Sequence, residues 1–386
     1  MVVTDEAGKL ASTMFRLMIL PLQTPPVLSA ISLQTIVWKT TPAPVAFTVY
    51  DLESEAGSLS VNVASTNAAL FPSGSIALSG TGTGRSVSFA PAGNAVGSDL
   101  ITITATDPDG LSSTHSFLVK VAPAQTLAWL NFNSVPSDGE PITGTTAPAL
   151  GAGAARPAGL AVGSLGVVVG SSDPELADNS NWRFAGFASQ GTSNKQCGAE
   201  FRVSTEGHEN IVFFWDQRNT DTASRYSRVQ YTVNGVNWID HRVIDMPFNT
   251  WVHQQSASFL AIPGAADNRN FGVRLVAEFV GTALGVGPNS YVATNPESNY
   301  GTGGTHRFDM IYFHGDVRRP RLNVTLVASD LEITWPVSAL PWTLETTPCL
   351  DPPAWQPLGL PVNVVGTNNI ITLSWGGANG FFRLSR

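Results

Sequence analysis

The feature that most constrains this chain is a recurring alternation of apolar residues with Thr, Ser and Asn, cut at short intervals by Gly, Pro and Asp. Val45 to Val49, Ser58 to Val63, Ser75 to Leu78, Arg85 to Phe89, Leu100 to Thr106 and Thr114 to Val121 all carry it. A period of two sends successive side chains to opposite faces, the pattern of half-buried antiparallel strands. Between these runs lie turn formers: Glu55-Ala56-Gly57, Pro72-Ser73-Gly74, Gly80-Thr81-Gly82 and Asp107-Pro108-Asp109-Gly110. About seven short strands in roughly 100 residues specify an immunoglobulin-like sandwich.

The strand pattern continues downstream. Trp182 to Phe187, Gly198 to Val203, Asn210 to Asp216, Arg225 to Val233, Trp251 to Phe259, Phe271 to Val280 and His306 to His314 read as strands with long loops, so residues 122–317 are expected to form a jelly-roll sandwich. One hairpin is close to explicit: Tyr226 to Val233, then Asn234-Gly235, then Val236 to Trp238, with the Asn-Gly pair suited to a tight turn. After Arg318-Arg319-Pro320, a small β-module occupies 318–386, with Trp335, Trp342, Trp355 and Trp375 as expected core anchors. The fold class is therefore all-β: an Ig-like sandwich, a jelly roll and a small terminal sandwich of fibronectin III type.

The start of the chain repeats a later part of it. Residues 4–24 align without a gap on 106–126, and Thr4, Asp5, Gly8, Phe15, Pro21, Gln23 and Thr24 are identical to Thr106, Asp107, Gly110, Phe117, Pro123, Gln125 and Thr126. Residues 1–24 thus read as the tail of a preceding repeat and 25–121 as a complete one, so the natural chain is expected to continue N-terminally. The same alignment explains Met14 to Leu22, an apolar run that follows Asp5 and Glu6 and lacks the basic flank of a signal peptide.

Charge narrows the partners. With 21 Lys and Arg against 29 Asp and Glu, the net charge is −8, which gives no general attraction for nucleic acid or anionic lipid. No run reaches the roughly 18 apolar residues of a membrane span. Charged residues make up 13% of the chain, about half the roughly 25% of ordinary globular proteins, and 43% hydrophobic residues suffice for packed cores. Cys197 and Cys349 lie far apart in different segments and read as unpaired thiols.

Motifs of catalysis are missing from the sequence. It contains no Gly-x-Ser-x-Gly elbow, no His-Glu-x-x-His and no Gly-rich phosphate loop ending in Lys-Ser/Thr. The histidines at 115, 208, 241, 253, 306 and 314 are scattered. Glu200, Glu206, Asp216, Asp245 and Glu278 are the acids that a glycoside hydrolase would have to recruit, and neighbouring arginines make ion pairing the simpler role. Aromatic rings beside hydrogen-bonding groups point instead to sugar binding, with Trp182, Trp215, Arg218, Asp221, Tyr226 and Trp238 as the candidate ligand-binding set and Trp251, Tyr291 and Tyr300 as further rings. Two acidic stretches collect oxygen donors of the kind calcium selects: Asp107 with Asp109, and Asp173 with Asp178, the latter joined by Asn131, Asn133 or Asp309.

The run PPVLSAISLQTI, FTVYDLESEAGSLSVNVASTNAALFPSGSIAL and VSFAPAGNAVGSDLITITATDPDG resembles the tandem bacterial Ig-like or cadherin-like repeats of large surface and secreted proteins. NWRFAGFAS, FRVSTEGHENIVFFWDQRN and GTHRFDMIYFHGD resemble jelly-roll domains of the LamG or carbohydrate-binding-module kind found beside such repeats, and ITWP, WTLETT and the closing FFRL resemble their small terminal modules. These resemblances imply a secreted or cell-surface protein acting in adhesion or in recognition of a glycan or surface polymer. The alternatives are an accessory carbohydrate-binding region of a larger secreted enzyme, and a hydrolase with its site in 122–317.

Overall fold

The computed structural model describes residues 2–12, 23–38, 40–93, 95–167, 169–337, 341–374 and 380–385. They form two compact units. The first comprises Met1–Leu33, Thr41–Ala90 and Leu100–Leu118, and the second Gln34–Thr40, Pro91–Asp99 and Val119–Arg386.

In the first unit, Val27–Leu28, Val45–Tyr50, Gly84–Phe89 and Ile76–Ser79 hydrogen-bond in that order as one sheet. Ser60–Ser65 pairs antiparallel with the far part of Gly97–Thr106, which neighbours Ser112–Ala122, in the other. Alternation does the work expected of it: Phe47, Val49, Val87 and Phe89 from one sheet and Ile101, Ile103, Ala105 and Phe117 from the other are all buried. This is the Ig-like sandwich, with every strand read from the sequence found within a few residues of its place. The hairpin Val2–Thr4/Leu10–Ser12 stands before it. Its turn repeats the later one closely. Asp5 Oδ1 accepts the Lys9 N–H at 2.8 Å and Asp107 Oδ1 accepts the Leu111 N–H at 2.9 Å, and Gly8 and Gly110, each three residues after its Asp, have φ of 71° and 91°. Residues 13–22 of the aligned repeat lie outside the described residues.

In the second unit, Gln34–Val37 runs parallel to Val119–Ala122. The centre is a two-sheet jelly roll. A seven-stranded sheet is built around His306–Val317, which pairs with Gln125–Leu130 and Ser180–Ala185 along one edge and with His208–Asn219 along the other. Val162–Val167 and Leu150–Gly151 extend one side and Val252–Ser258 the other. The opposing sheet runs Ala154–Ala158, Gly198–Arg202, Gly272–Glu278, Tyr226–Thr232, Ile239–Asp245. Phe184, Phe213, Trp215, Phe308 and Phe313 of the first sheet meet Phe201, Val229, Val273 and Leu275 of the second in one core. The Asn234-Gly235 hairpin forms, but with a longer loop than a two-residue turn. Asn234 Oδ1 accepts the N–H groups of Val236 and Asn237, and the return strand starts only at Ile239.

Residues 323–385 form a second small sandwich, a four-stranded sheet facing a three-stranded one around Ile333, Trp335, Leu344 and Ile371. Of the expected anchors among the described residues, only Trp335 is core. Trp342 and Trp355 are half-buried, and Trp375 lies outside the described residues. Cys197 is buried, Cys349 exposed, and both are free. No described helix is long and apolar enough to cross a membrane.

Candidate metal centre

The aromatic candidates are mostly structural. Trp182 and Trp215 are 4% and 0% exposed and pack in the jelly-roll core, and Tyr226 is 5% exposed on the opposing sheet. The strand alternation points Trp182 and Trp215 into the core, while Tyr226 lies outside it, on the other face of its strand, covered by neighbours that include Arg225, so none of the three rings offers an open platform. Trp238 is half-buried beneath the guanidinium groups of Arg202 and Arg274, 4.8 and 4.6 Å from its ring. Tyr291 stacks on Tyr300 at 4.5 Å. Asp221 is exposed in a turn, and Arg218 is half-buried and held by Asn249 Oδ1 at 2.7 Å. The acids considered for glycoside chemistry are largely matched to cations: Glu200 to Arg156 and Arg202, Glu206 to Arg269, Asp245 to Arg225, Glu278 to Arg228 and Lys195. Asp107 closes its hairpin turn through Leu111, and Asp109 is exposed in that turn.

Asp216 is different. It sits on His208–Asn219 directly across from Asp309 on His306–Val317, and both residues are 0% exposed. Two carboxylates opposed across a strand pair and removed from water repel each other strongly. The backbone is irregular at the same level on three adjacent strands. The register shifts between Phe214 and Asp216, and Gln254 and Met310 take left-handed φ of 45° and 48°. Non-glycine residues hold such angles only where the surroundings fix them. The shift at Asp216 lets its Oδ1 accept the Gln254 N–H at 2.6 Å and its Oδ2 accept Ser172 N–H at 2.6 Å, while His253 Nδ1 lies 3.1 Å from Oδ2.

The loop between Val162–Val167 and Ser180–Ala185 closes over this level. Pro174 fixes the chain after Asp173, whose Oδ1 accepts the Glu175 N–H at 2.9 Å, and Asn133 Nδ2 donates to Asp173 Oδ2 at 2.9 Å. Asn133 Oδ1 takes the Ser180 N–H, and Asp178 Oδ2 takes the Ser134 N–H at 3.2 Å. Asp173, Asp178, Asn133 and Asn179 are all buried. The structure sets Asp173 against Asn133 and within the electrostatic reach of Asp309, and Asp178 against the Ser134 N–H of the neighbouring segment. The sequence singles out Asp216 only among the acids of glycoside chemistry, not with the calcium donors, and does not single out Gln254 at all.

The unsatisfied atoms here are mostly acceptor oxygens, the exception being the Trp129 Nε1 donor that lines the same pocket. Asp178 Oδ1, Asn179 Oδ1, Asn181 Oδ1, Gln254 Oε1 and Asp309 Oδ2 are buried and have no protein donor, and only Asp51 Oδ2 joins them among carboxylate and amide oxygens of the described residues. Burial pushes the Asp309 carboxyl well above the ordinary carboxylate range, with Asp216 and Asp173 pushing the same way, and burial likewise raises Asp173. Burial also brings Lys120, over the rings of Phe214 and Tyr312 at 4.3 and 3.8 Å, down to about 7 despite the pull of Asp216. A set made mainly of carboxylate and amide oxygens suits a hard divalent cation such as calcium better than a soft metal. Among the described residues no three His, Cys, Asp or Glu side chains converge on one point. A cation would thus take amide and backbone oxygens beside its carboxylates.

Residues 23–120 match the family model described as Bacterial Ig domain. No curated protein matches the chain. Among solved structures, the carbohydrate-binding module and INT domains of Clostridium perfringens ZmpB are 9% identical over 75% of this chain, which spans 48% of that one, at a TM-score of 0.21. A structure from a study of carbohydrate-binding modules of the β-sandwich superfamily is 13% identical over 77% of this chain and 95% of its own, at 0.20. A three-Ig segment of titin is 8% identical over 94% and 98%, at 0.22. Likeness at this level carries no functional argument.

Proposed function

We propose that this chain is a non-catalytic stretch of a bacterial secreted or cell-surface protein, in which the Ig-like unit is a spacer and the jelly roll a calcium-braced recognition domain for a glycan or surface polymer. The buried, unpartnered oxygen set around Asp216 and Asp309 supports this reading most directly. A cation would replace the missing donors and relieve the repulsion of the opposed carboxylates. Weak calcium sites, with Kd of about 10⁻⁴–10⁻³ M, belong to extracellular modules. The Bacterial Ig domain match over residues 23–120 is in keeping with that location. Asp309 with Asp173 beside it, and Asn181 and Gln254 supplying unpartnered amide oxygens, are the residues we assign to the ion. Its role is to pin the loop over residues 171–181 to the sheet.

The test is to present the full chain to arrayed glycans and insoluble surface polymers in millimolar calcium and after chelation. Retention on one class of polymer, lost or weakened by chelation, is expected. Turnover of an ester, peptide or glycoside substrate, abolished by a single His or carboxylate change, would replace this reading with the hydrolase one.

A further inference from the structure

The outward face of the seven-stranded sheet carries a second feature, next to the carboxylates and opposite in sign. Arg183 on Ser180–Ala185 is the register partner of Arg307 on His306–Val317, and Arg307 is in turn the partner of Arg218 on His208–Asn219. Three arginines thus stand side by side on three adjacent strands. With strands about 4.8 Å apart, their Cα atoms span roughly 10 Å. Like charges placed directly opposite each other destabilise a sheet. Elsewhere on this sandwich such cations are neutralised, as Arg228 is by Glu278 at 2.6 Å and Arg225 by Asp245 at 2.6 Å. Among the described residues none of the three has a carboxylate within 4.0 Å: Arg218 is held by the neutral Asn249, and Arg307 reaches only Thr305 Oγ1 at 3.5 Å. Asp216 and Asp309 lie two residues back on the same strands, yet neither forms an ion pair with the row. Arg183 is exposed and the other two half-exposed, so the guanidinium groups remain open to solvent.

The row continues at both ends. Ser164 is the partner of Arg183 on the far strand. On the near side Gln217 pairs with Val252, and half-buried Trp251 immediately precedes that strand, its ring lying beside Gly170. The face therefore reads hydroxyl, then three guanidiniums, with an indole at the start of the next strand. Guanidinium groups bind carboxylates and sulfates in bidentate fashion, and an aromatic ring supplies an apolar surface beside them. The net charge of −8 opposes long-range attraction of any polyanion, so binding here rests on short-range pairing with the arginine row.

We propose that the row Arg183, Arg307 and Arg218 is an anion-binding face that takes the acid groups of a polysaccharide bearing sulfates or uronic carboxylates. This deepens the recognition-domain reading above and rests on it.

The experiment measures retention of the full chain, in millimolar calcium, on immobilised dextran sulfate, polygalacturonate, neutral dextran and duplex DNA. Binding to one or both acidic polysaccharides and none to neutral dextran is expected, and the two acidic arms separate sulfate from carboxylate as the source. Arg183→Gln, at an exposed position, should weaken retention about tenfold with unchanged melting, and Arg183→Gln with Arg307→Gln should abolish it. Arg156→Gln, on the opposing sheet, should leave it intact. Retention unchanged in Arg183→Gln, or equal on neutral dextran, overturns the proposal, and so does duplex DNA binding as tight as the acidic polysaccharides. Specific retention of neutral glycans alone would overturn this proposal and leave the recognition domain standing.

Discussion

His306 gives a prediction whose size follows from its surroundings. It is 0% exposed, its ring lies 4.4 Å from that of Phe187, and neither ring nitrogen makes a hydrogen bond of good geometry, the Ser224 backbone offering only a weak contact. Burial lowers it from 6.5 to about 3, opposed only by the backbone of Ser224. Below pH 6.5 the unfolded chain takes up a proton that the folded chain refuses, so stability falls as the pH drops from about 6.5 toward 3, and above that window the group adds no pH dependence. Integrating the linkage between pH 6.5 and about pH 4.5 gives a loss of roughly 2 kcal/mol from this one ring. His306→Phe removes the titrating group and also the unpaired ring nitrogens, and keeps a ring against Phe187. Urea unfolding at the two pH values should show the variant losing about 2 kcal/mol less than the parent. His314, lowered to about 3 by burial and by Lys120, is present in both proteins and cancels. Equal losses in the two proteins would show that His306 is either not buried or not neutral, and would refute the reasoning.

Two further outcomes follow from other parts of the jelly roll. Lys120 is held at about 7 against an unfolded value near 10.5, so between those values the unfolded chain keeps a proton that the folded one gives up. Raising the pH from about 7.5 to 9.5 should therefore stabilise the parent by about 2 kcal/mol, a gain that urea unfolding should find missing in Lys120→Met. Gly151 has φ of 76°, and a Cβ there would lie 2.0 Å from the Leu127 carbonyl oxygen. Gly151→Ala should cost more than about 2 kcal/mol by thermal melting, and a neutral result would contradict the pairing of this edge.

How far the sequence reveals this molecule depends on which signal is local. In the Ig-like unit the alternation is clean, since each strand has one wet face, and strands such as Val45–Tyr50 and Ile76–Ser79 can be read almost to the residue. In the jelly roll the central strands are largely buried on both faces. The run Ile211 to Trp215 is apolar throughout, and that hides which residues point inward. Trp182 and Trp215 were therefore open to reading as platforms when they are core. Asp173, Asp178 and Asp309 were recognisable by composition. Asp216 and Gln254 were not, because only the strand register sets them beside Asp309. A usable clue does exist: Asp216-Gln217-Arg218 and Arg307-Phe308-Asp309 are mirror patterns, and antiparallel pairing of mirror patterns sets acid on acid and arginine on arginine. The division into units was also invisible, since it cuts through strands rather than falling at a linker.

The central claim is that the buried oxygens around Asp309 are occupied by calcium in the working protein. Titration of calcium into the metal-free full chain, by calorimetry with parallel thermal melts, tests it most directly. The account predicts saturable binding, with a gain of about 2.7 kcal/mol at a hundredfold excess over Kd and hence a rise of about 5–10 °C in the melting of the jelly roll. It also predicts that Asp309→Asn abolishes binding while raising stability in chelator, where the repulsion from Asp216 is relieved. No heat and no shift in the parent, or the same binding in Asp309→Asn, would contradict it.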